Sequence, residues 1–153
     1  MKMNIKLSDI QLFINQKSIA VAGVSRNDKK FGNAIYKELK LKGYEVFPLN
    51  PNLNEYEGVK CYKSVNELPS HVTGIFVCTK PEQTEKIVQE TINKGIKHLW
   101  LQQGSHNENS IKIATNQGIN VVSNNCLFMF LEPVESIHKF HRGIKKFFGN
   151  YPK

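Results

Sequence analysis

Apolar positions in this chain fall into short dense runs separated by longer amphipathic stretches. Residues 18–24 (SIAVAGV), 44–49 (YEVFPL), 74–78 (GIFVC), 98–101 (HLWL) and 119–122 (INVV) are mostly apolar, as strands inside a sheet covered on both faces are. The stretches between them repeat at helical spacing. Ser8 can cap a short helix carrying Ile10, Phe13 and Ile14 on one face. Residues 31–42 place Ile35 and Leu39 on one side and stop at Gly43. Pro81 opens a third helix at its first position, with Ile87, Val88 and Ile92 inward and Gly95 at its end. Residues 65–68 read as a single helical turn, and 109–117 as a helix ending at Gly118.

Strand and helix alternate at the lengths of a βαβ series. The expected fold class is therefore α/β: a Rossmann-like three-layer sandwich around a parallel five-stranded sheet. Right-handed crossovers give an expected strand order of 3-2-1-4-5, with helices on both faces. After the fifth strand comes an apolar stretch, 126–131 (CLFMFL). An added C-terminal helix is expected over about 133–148, with Val134, Ile137, His141, Ile144 and Phe148 on one stripe and Lys139, Arg142, Lys145 and Lys146 off it. The stripe and Met129 pack on the domain or meet a second copy in a homodimer, and core packing is the favoured of the two.

The 153 residues suit a single domain spanning 1–153, with its core at about 18–126. The composition, 40% hydrophobic, is that of an ordinary globule. No apolar run approaches the roughly 18 residues that span a bilayer. Residues 1–9 have neither the apolar core nor the cleavage site of a secretory signal. Cys61, Cys78 and Cys126 are odd in number and widely spaced, which fits a reducing, cytoplasmic setting. The formal net charge of +8 allows an anionic partner. The lysines are scattered, however, and no aromatic residues interleave with them. Nucleic acid and membrane are thus excluded as partners, and most of the charge reads as solvated surface.

In such a sheet ligands bind outside the carboxyl ends of the strands, where strand order reverses. The first loop is the most informative. Gly23 permits a sharp turn, Val24 follows it, Ser25 and Arg26 offer a hydroxyl and a guanidinium, and Lys30, Phe31, Gly32 and Asn33 open the next helix. Free N–H groups and the positive dipole end at a helix start favour phosphate. The second strand ends in Asn50 and Pro51, the third in Thr79, Lys80 and Pro81, the fourth in Gln103 and Gly104. Thr79 can also cap the helix that follows it. The nicotinamide-dinucleotide pattern G-x-G-x-x-G is not matched: Ser25 and Asp28 occupy its second and third glycine positions, and no carboxylate ends the second strand. Asn50 there can hydrogen-bond an adenosine group without repelling a nearby phosphate.

In order, AVAGVSRNDKKFGNAI, VFPLNP, FVCTKPEQTEKIV, LWLQQGSHNE and VVSNNC resemble the small CoA-binding domain family, which is similar to the N-terminal domain of the succinyl-CoA synthetase alpha subunit. The resemblance covers about 18–126 and implies coenzyme A as the small-molecule ligand. It implies that Gly23, Val24, Ser25 and Arg26, with Phe31, Gly32 and Asn33, hold the pyrophosphate side; Arg26 and either Lys30 or Lys80 are expected to meet phosphates. Asn50 and Pro51 would flank the adenosine, Thr79, Lys80 and Pro81 line the nucleotide edge, and Gln103 and Gly104 mark the pantetheine exit. The sequence departs from many members after Cys126, where 127–131 is apolar throughout.

The synthetases phosphorylate a histidine of a further domain, and the expectation here is a binding or regulatory module without catalysis of its own. Of His71, His98, His106, His138 and His141 only His106 follows a strand end, and Glu108 is its sole acidic neighbour. His138 and His141 are three apart but have no third ligand in sequence for a metal. Cys126 can form a mixed disulfide with a CoA thiol or act as a nucleophile, but with nothing nearby to lower its pKa a buried structural thiol is the favoured reading. Two other classes stay open at this point: an NAD(P)-binding oxidoreductase-like protein, and a protein-interaction module with a vestigial nucleotide cleft.

Overall fold

The computed structural model describes residues 4–131. The stripe expected over 133–148, His138 and His141 lie outside these residues. In chain order the elements are α1 (Leu7–Ile14), β1 (Ser18–Ala22), α2 (Phe31–Leu41), β2 (Glu45–Leu49), β3 (Glu55–Tyr56), β4 (Val59–Lys60), a 3-10 turn (Val65–Glu67), β5 (Gly74–Val77), α3 (Pro81–Lys94), β6 (His98–Leu101), α4 (Glu108–Asn116), β7 (Asn120–Ser123) and a second 3-10 turn (Leu127–Met129). Helix α1 starts one residue before Ser8: Lys6 is its N-cap, and the Lys6 backbone N–H donates to Asp9 Oδ2 at 2.9 Å. Helix α3 carries Pro81 in its first turn and ends at Gly95, as expected.

Five strands pair in parallel in the order β2-β1-β5-β6-β7. Counting only these five, the order is 2-1-3-4-5, which corrects the expected 3-2-1-4-5. The third strand lies beside the first, with Ile19 opposite Gly74 and Ala22 opposite Val77. The second strand is consequently an edge. Pro48 explains why: a proline in a central strand removes a ladder hydrogen bond, so it belongs at an edge. Its carbonyl faces outward and accepts from the Tyr62 N–H at 2.9 Å. Strand β5 is buried along its whole length, whereas β2 begins exposed at Glu45.

The chain between β2 and β5 contains a small hairpin that sequence periodicity does not announce. β3 and β4 pair antiparallel around Glu57 and Gly58, both at positive φ, 52° and 77°. Two positive-φ residues in sequence are what a tight two-residue hairpin turn needs. Tyr62 then bridges back to Leu49 and covers the outer edge of β2.

Side chains alternate across the sheet. Ile19, Val21, Phe76, Trp100 and Val122 face α1 and α2; Ala20, Ala22, Ile75, Val77, Leu99 and Leu101 face α3 and α4. The 127–131 stretch completes the first layer: Leu127, Met129, Phe130 and Leu131 are buried in it. Trp100 anchors this layer, with Phe13 edge-on at 5.4 Å and Phe130 at 6.0 Å. Its Nε1 donates to the Asn125 carbonyl at 3.1 Å.

Candidate functional site

All five parallel strands end on one side of the molecule. Helices cross to one face after β1 and to the other after β5, so the reversal of strand order falls between β1 and β5. Their two loops are therefore direct neighbours. The Cys78 N–H donates to the Ala22 carbonyl at 2.9 Å, and the Gly23 N–H to the Leu49 carbonyl at 3.4 Å.

Gly23 sits at φ +125°, a backbone that side chains rarely adopt. A Cβ there would meet Cys78, with the Cys78 carbonyl oxygen only 2.9 Å away. A Cβ on Gly32 would lie 2.6 Å from the Gly23 carbonyl carbon and 2.9 Å from Cys78 Sγ. The two glycines thus let the start of α2, the β1 loop and the end of β5 touch one another. What they make room for is protein backbone, a different reason for glycine from close approach to a phosphate.

The loop between them is held by side-chain amides. Asn33 is buried; its Oδ1 accepts from the Ser25 N–H at 2.8 Å, and its Nδ2 donates to the carbonyls of Ser25 at 2.8 Å and Asn27 at 3.0 Å. Asn50 ties the second strand end to the same loop: its Nδ2 donates to the Val24 carbonyl at 2.7 Å and its Oδ1 accepts from the Asn52 N–H at 2.8 Å. Ser25 Oγ accepts from the Asn27 N–H at 3.1 Å. On the third strand end Lys80, not Thr79, is the N-cap of α3; the Thr79 hydroxyl pairs with that of Thr84 at 2.8 Å.

Two clefts open along this edge. The first, about 560 Å³, is lined by Gly23, Val24, Ser25, Lys30, Asn50, Pro51, Thr79 and Lys80 among the expected residues. It also takes Lys63 and Ser64 from the segment after the hairpin, and Glu82, Gln83, Lys86, Ile87 and Glu90 from α3. Among the described residues four lysines and two glutamates line it, and one of the glutamates, Glu90, accepts the Val65 N–H at 3.1 Å. The second cleft, about 550 Å³, brings together Phe31, Thr79, Lys80, Pro81, Gln103 and Gly104, with Cys78, Gln102, Ser105 and Cys126. The two share Cys78, Thr79 and Lys80, so they meet across the end of β5. Arg26 is exposed, and it lines neither cleft; nor do Gly32 and Asn33. A smaller hollow of about 330 Å³ around Val72, Lys94 and His98 lies at the opposite edge, and its Lys94 ammonium donates to the Asn66 and Leu68 carbonyls.

Sequence reasoning missed the contributions of the crossover segment and of α3. On α3, positions 83, 86, 87 and 90 form one stripe at helical spacing, which was legible. Lys63 and Ser64 carried no signal, because their place depends on the path of the hairpin.

Burial favours the neutral forms of two nearby groups, Cys78 and His106. Burial pushes the Cys78 thiol up to about 12, and its sulfur sits 3.5 Å from the Ala22 carbonyl. Burial holds the His106 ring below the usual histidine range, and His106 lines neither cleft. Among the described residues no group of three or more His, Cys, Asp and Glu is placed to hold a metal ion. No helix among them is long and apolar enough to cross a membrane.

A doubly wound α/β domain with a paired cleft at its strand-reversal point is the class these features define. Within that class the chain belongs to the CoA binding domain family, whose model matches residues 17–132. Two relatives show the range of the family. The chain is 30% identical over 129 residues to the alpha subunit of acetate–CoA ligase (ADP-forming) II of Pyrococcus furiosus, covering 77% of this chain but only 28% of that one. It is 27% identical over 117 residues to the uncharacterized protein YneT of Bacillus subtilis, covering 76% of this chain and 87% of YneT. A solved conserved hypothetical protein from Pyrococcus furiosus superposes with a TM-score of 0.70 at 39% identity, covering 72% of this chain and 96% of that one.

Proposed function

We propose that the chain binds coenzyme A along the paired clefts, as a binding or regulatory module without chemistry of its own. The observation that carries this is the division between the clefts. The first presents Lys30, Lys63, Lys80 and Lys86, and suits phosphates. The second has Lys80 as its only charged lining residue among the described residues, and suits a neutral arm. Each volume is within the roughly 300–1,000 Å³ usual for small-molecule sites. Together they accommodate a ligand longer than one nucleotide.

In this proposal Gly23, Val24, Ser25 and Lys30 hold the pyrophosphate side, Asn50 and Pro51 flank the adenosine, and Thr79, Lys80 and Pro81 line the passage between clefts. Phe31, Gln103 and Gly104 border the arm. Gly32 and Asn33 act through the loop they shape. CoA supplies a thiol that carries acyl groups as thioesters. The neutral Cys78 thiol and the placement of His106 away from the clefts favour binding over catalysis.

Thermal shift with CoA, NAD and ATP tests this. CoA at 100 times its dissociation constant should stabilise the fold by about 2.7 kcal/mol. Lys80→Ala should weaken CoA and reduce the salt dependence of binding, whereas Arg26→Ala should leave affinity nearly unchanged. A shift with NAD and none with millimolar CoA refutes the proposal.

A further inference from the structure

The second cleft has an apolar wall that core packing does not account for. In the stretch 127–131, Leu127, Met129, Phe130 and Leu131 are buried in the first layer, whereas Phe128 is half-buried and meets the Phe31 ring edge-on at 5.4 Å. Phe31 is the first residue of α2, and it stays 38% exposed. A helix start ordinarily favours polar or acidic residues, because its free N–H groups and dipole attract negative charge. The first turn of α2 has no acid, and its opening position holds an aromatic ring instead. A ring left partly in water forgoes some of the stabilisation that its burial would bring. Apolar surface left open beside a cleft is characteristic of ligand grooves.

The lining of this cleft has two unlike parts. Gln103, Gly104 and Ser105, from the loop after β6, are polar, whereas Phe31 and Cys126 offer ring carbons and a soft sulfur. Phe31 and Cys126 line the second cleft alone, while Lys80 lines both clefts and so stands where they meet. With the phosphates in the first cleft, the arm of CoA enters past Lys80, and its sulfur end points away from the lysines. A group attached to that sulfur then lies against Phe31 and Cys126. Among the described residues no second cation lines this cleft to meet a carboxylate on such a group.

We propose that Phe31 and Cys126, with Phe128 behind the ring, form a shelf for the acyl group of a CoA thioester, and that the preferred ligand is CoA carrying an aliphatic acyl group of a few carbons in place of a carboxyacyl group. The proposal rests on the CoA reading above and goes beyond it by naming the class of group the thiol carries. An aliphatic chain covers the Phe31 ring and loses its own contact with water. A terminal carboxylate in the same place gives up hydration without gaining a partner.

Calorimetric titration of the parent chain with CoA, butyryl-CoA and succinyl-CoA tests it, since the two acyl chains are equal in length and end in a methyl group and a carboxylate. Full burial of one methylene is worth roughly fourfold in affinity, and a shelf covers one side of the chain, so butyryl-CoA should bind about tenfold more tightly than CoA. Succinyl-CoA should bind no more tightly than CoA. Phe31→Ala should bring the butyryl-CoA to CoA affinity ratio down toward parity, and Phe31→Leu, which restores apolar surface, should keep most of it. Reading the ratio separates the shelf from a general loss of CoA affinity or of folding. If Phe31→Ala does not fold, Phe128→Ala should lower the same ratio. Equal binding of CoA and butyryl-CoA by the parent, succinyl-CoA bound as tightly as butyryl-CoA, or a ratio unmoved in the folded alanine variant overturns the shelf and leaves CoA binding standing. A parent that binds none of the three overturns the CoA reading together with the proposal.

Discussion

Gly32→Ala perturbs the seat of α2 on the β1 loop, and its effect can be worked from the geometry. The added Cβ would lie 2.6 Å from the Gly23 carbonyl carbon and 2.9 Å from Cys78 Sγ, where ordinary contact begins at 3.4 Å. The Gly23 carbonyl oxygen lies closer still, so either α2 or the Gly23 loop must retreat by about 1.1 Å. Neither neighbour is the far end of a flexible side chain: one is backbone, the other a short thiol at the end of a buried strand. Overpacking of this kind typically costs about 1–3 kcal/mol. For a chain of this size each kcal/mol lowers Tm by about 2–4 °C, so a fall of roughly 4–8 °C is expected at the middle of the range. Trp100, the only tryptophan and fully buried, reports urea unfolding by fluorescence. Gly74→Ala is the control. Its Cβ would first touch Phe13 at 3.4 Å, so it should be neutral or stabilise by up to about 1 kcal/mol through the unfolded chain. If Gly32→Ala is as stable as Gly74→Ala, the close seating of α2 on the loop is wrong.

Asn33→Ala removes three hydrogen bonds that shape the Ser25–Asn27 turn. It should lower unfolding free energy by about 2–3 kcal/mol in urea titration and weaken CoA binding, and a variant with parental stability would show that the turn holds itself. Stability should also fall as pH rises from about 9 toward 12. The Cys78 thiol, raised from 9.0 to about 12 by burial, keeps its proton in the fold while the unfolded chain loses it. Tyr56, also raised to about 12, adds to the loss above pH 10. Unfolding titrations at pH 8, 9 and 10 read this directly, and a Cys78→Ala variant should flatten the lower part of the slope. A parent with flat stability across that range contradicts the burial assigned to the thiol.

The five strands and four helices were legible because each carries its own periodicity or punctuation, from the all-apolar IAVA of β1 to Pro81 and Gly95 around α3. Strand order was not, since right-handed crossovers alone permit more than one arrangement. Pro48 held the deciding information, because only an edge strand tolerates it. The hairpin at Glu57 and Gly58 escaped because four paired residues are too few to show a period. At the site, strand-end residues such as Ser25, Asn50 and Lys80 were found from topology. The role of Gly32 was not, because its packing against Cys78 joins distant parts of the chain; that of Asn33 was not, because its bonds to Ser25 and Asn27 depend on the shape of the loop and no local motif encodes them.

The placement of β1 between β2 and β5 also governs how the chain can fold while it is being made. β1 is complete at Ala22, but its inner partner begins only at Gly74, about fifty residues later. At roughly 5–20 residues per second of synthesis, that interval is about 3–10 s. Throughout it the apolar Ile19–Val21 segment has at most β2 beside it, and its other edge is an open template for pairing with another chain. The nascent protein is thus most prone to misassociate before residue 74 emerges, which makes the β1 edge the natural point for a chaperone to shield.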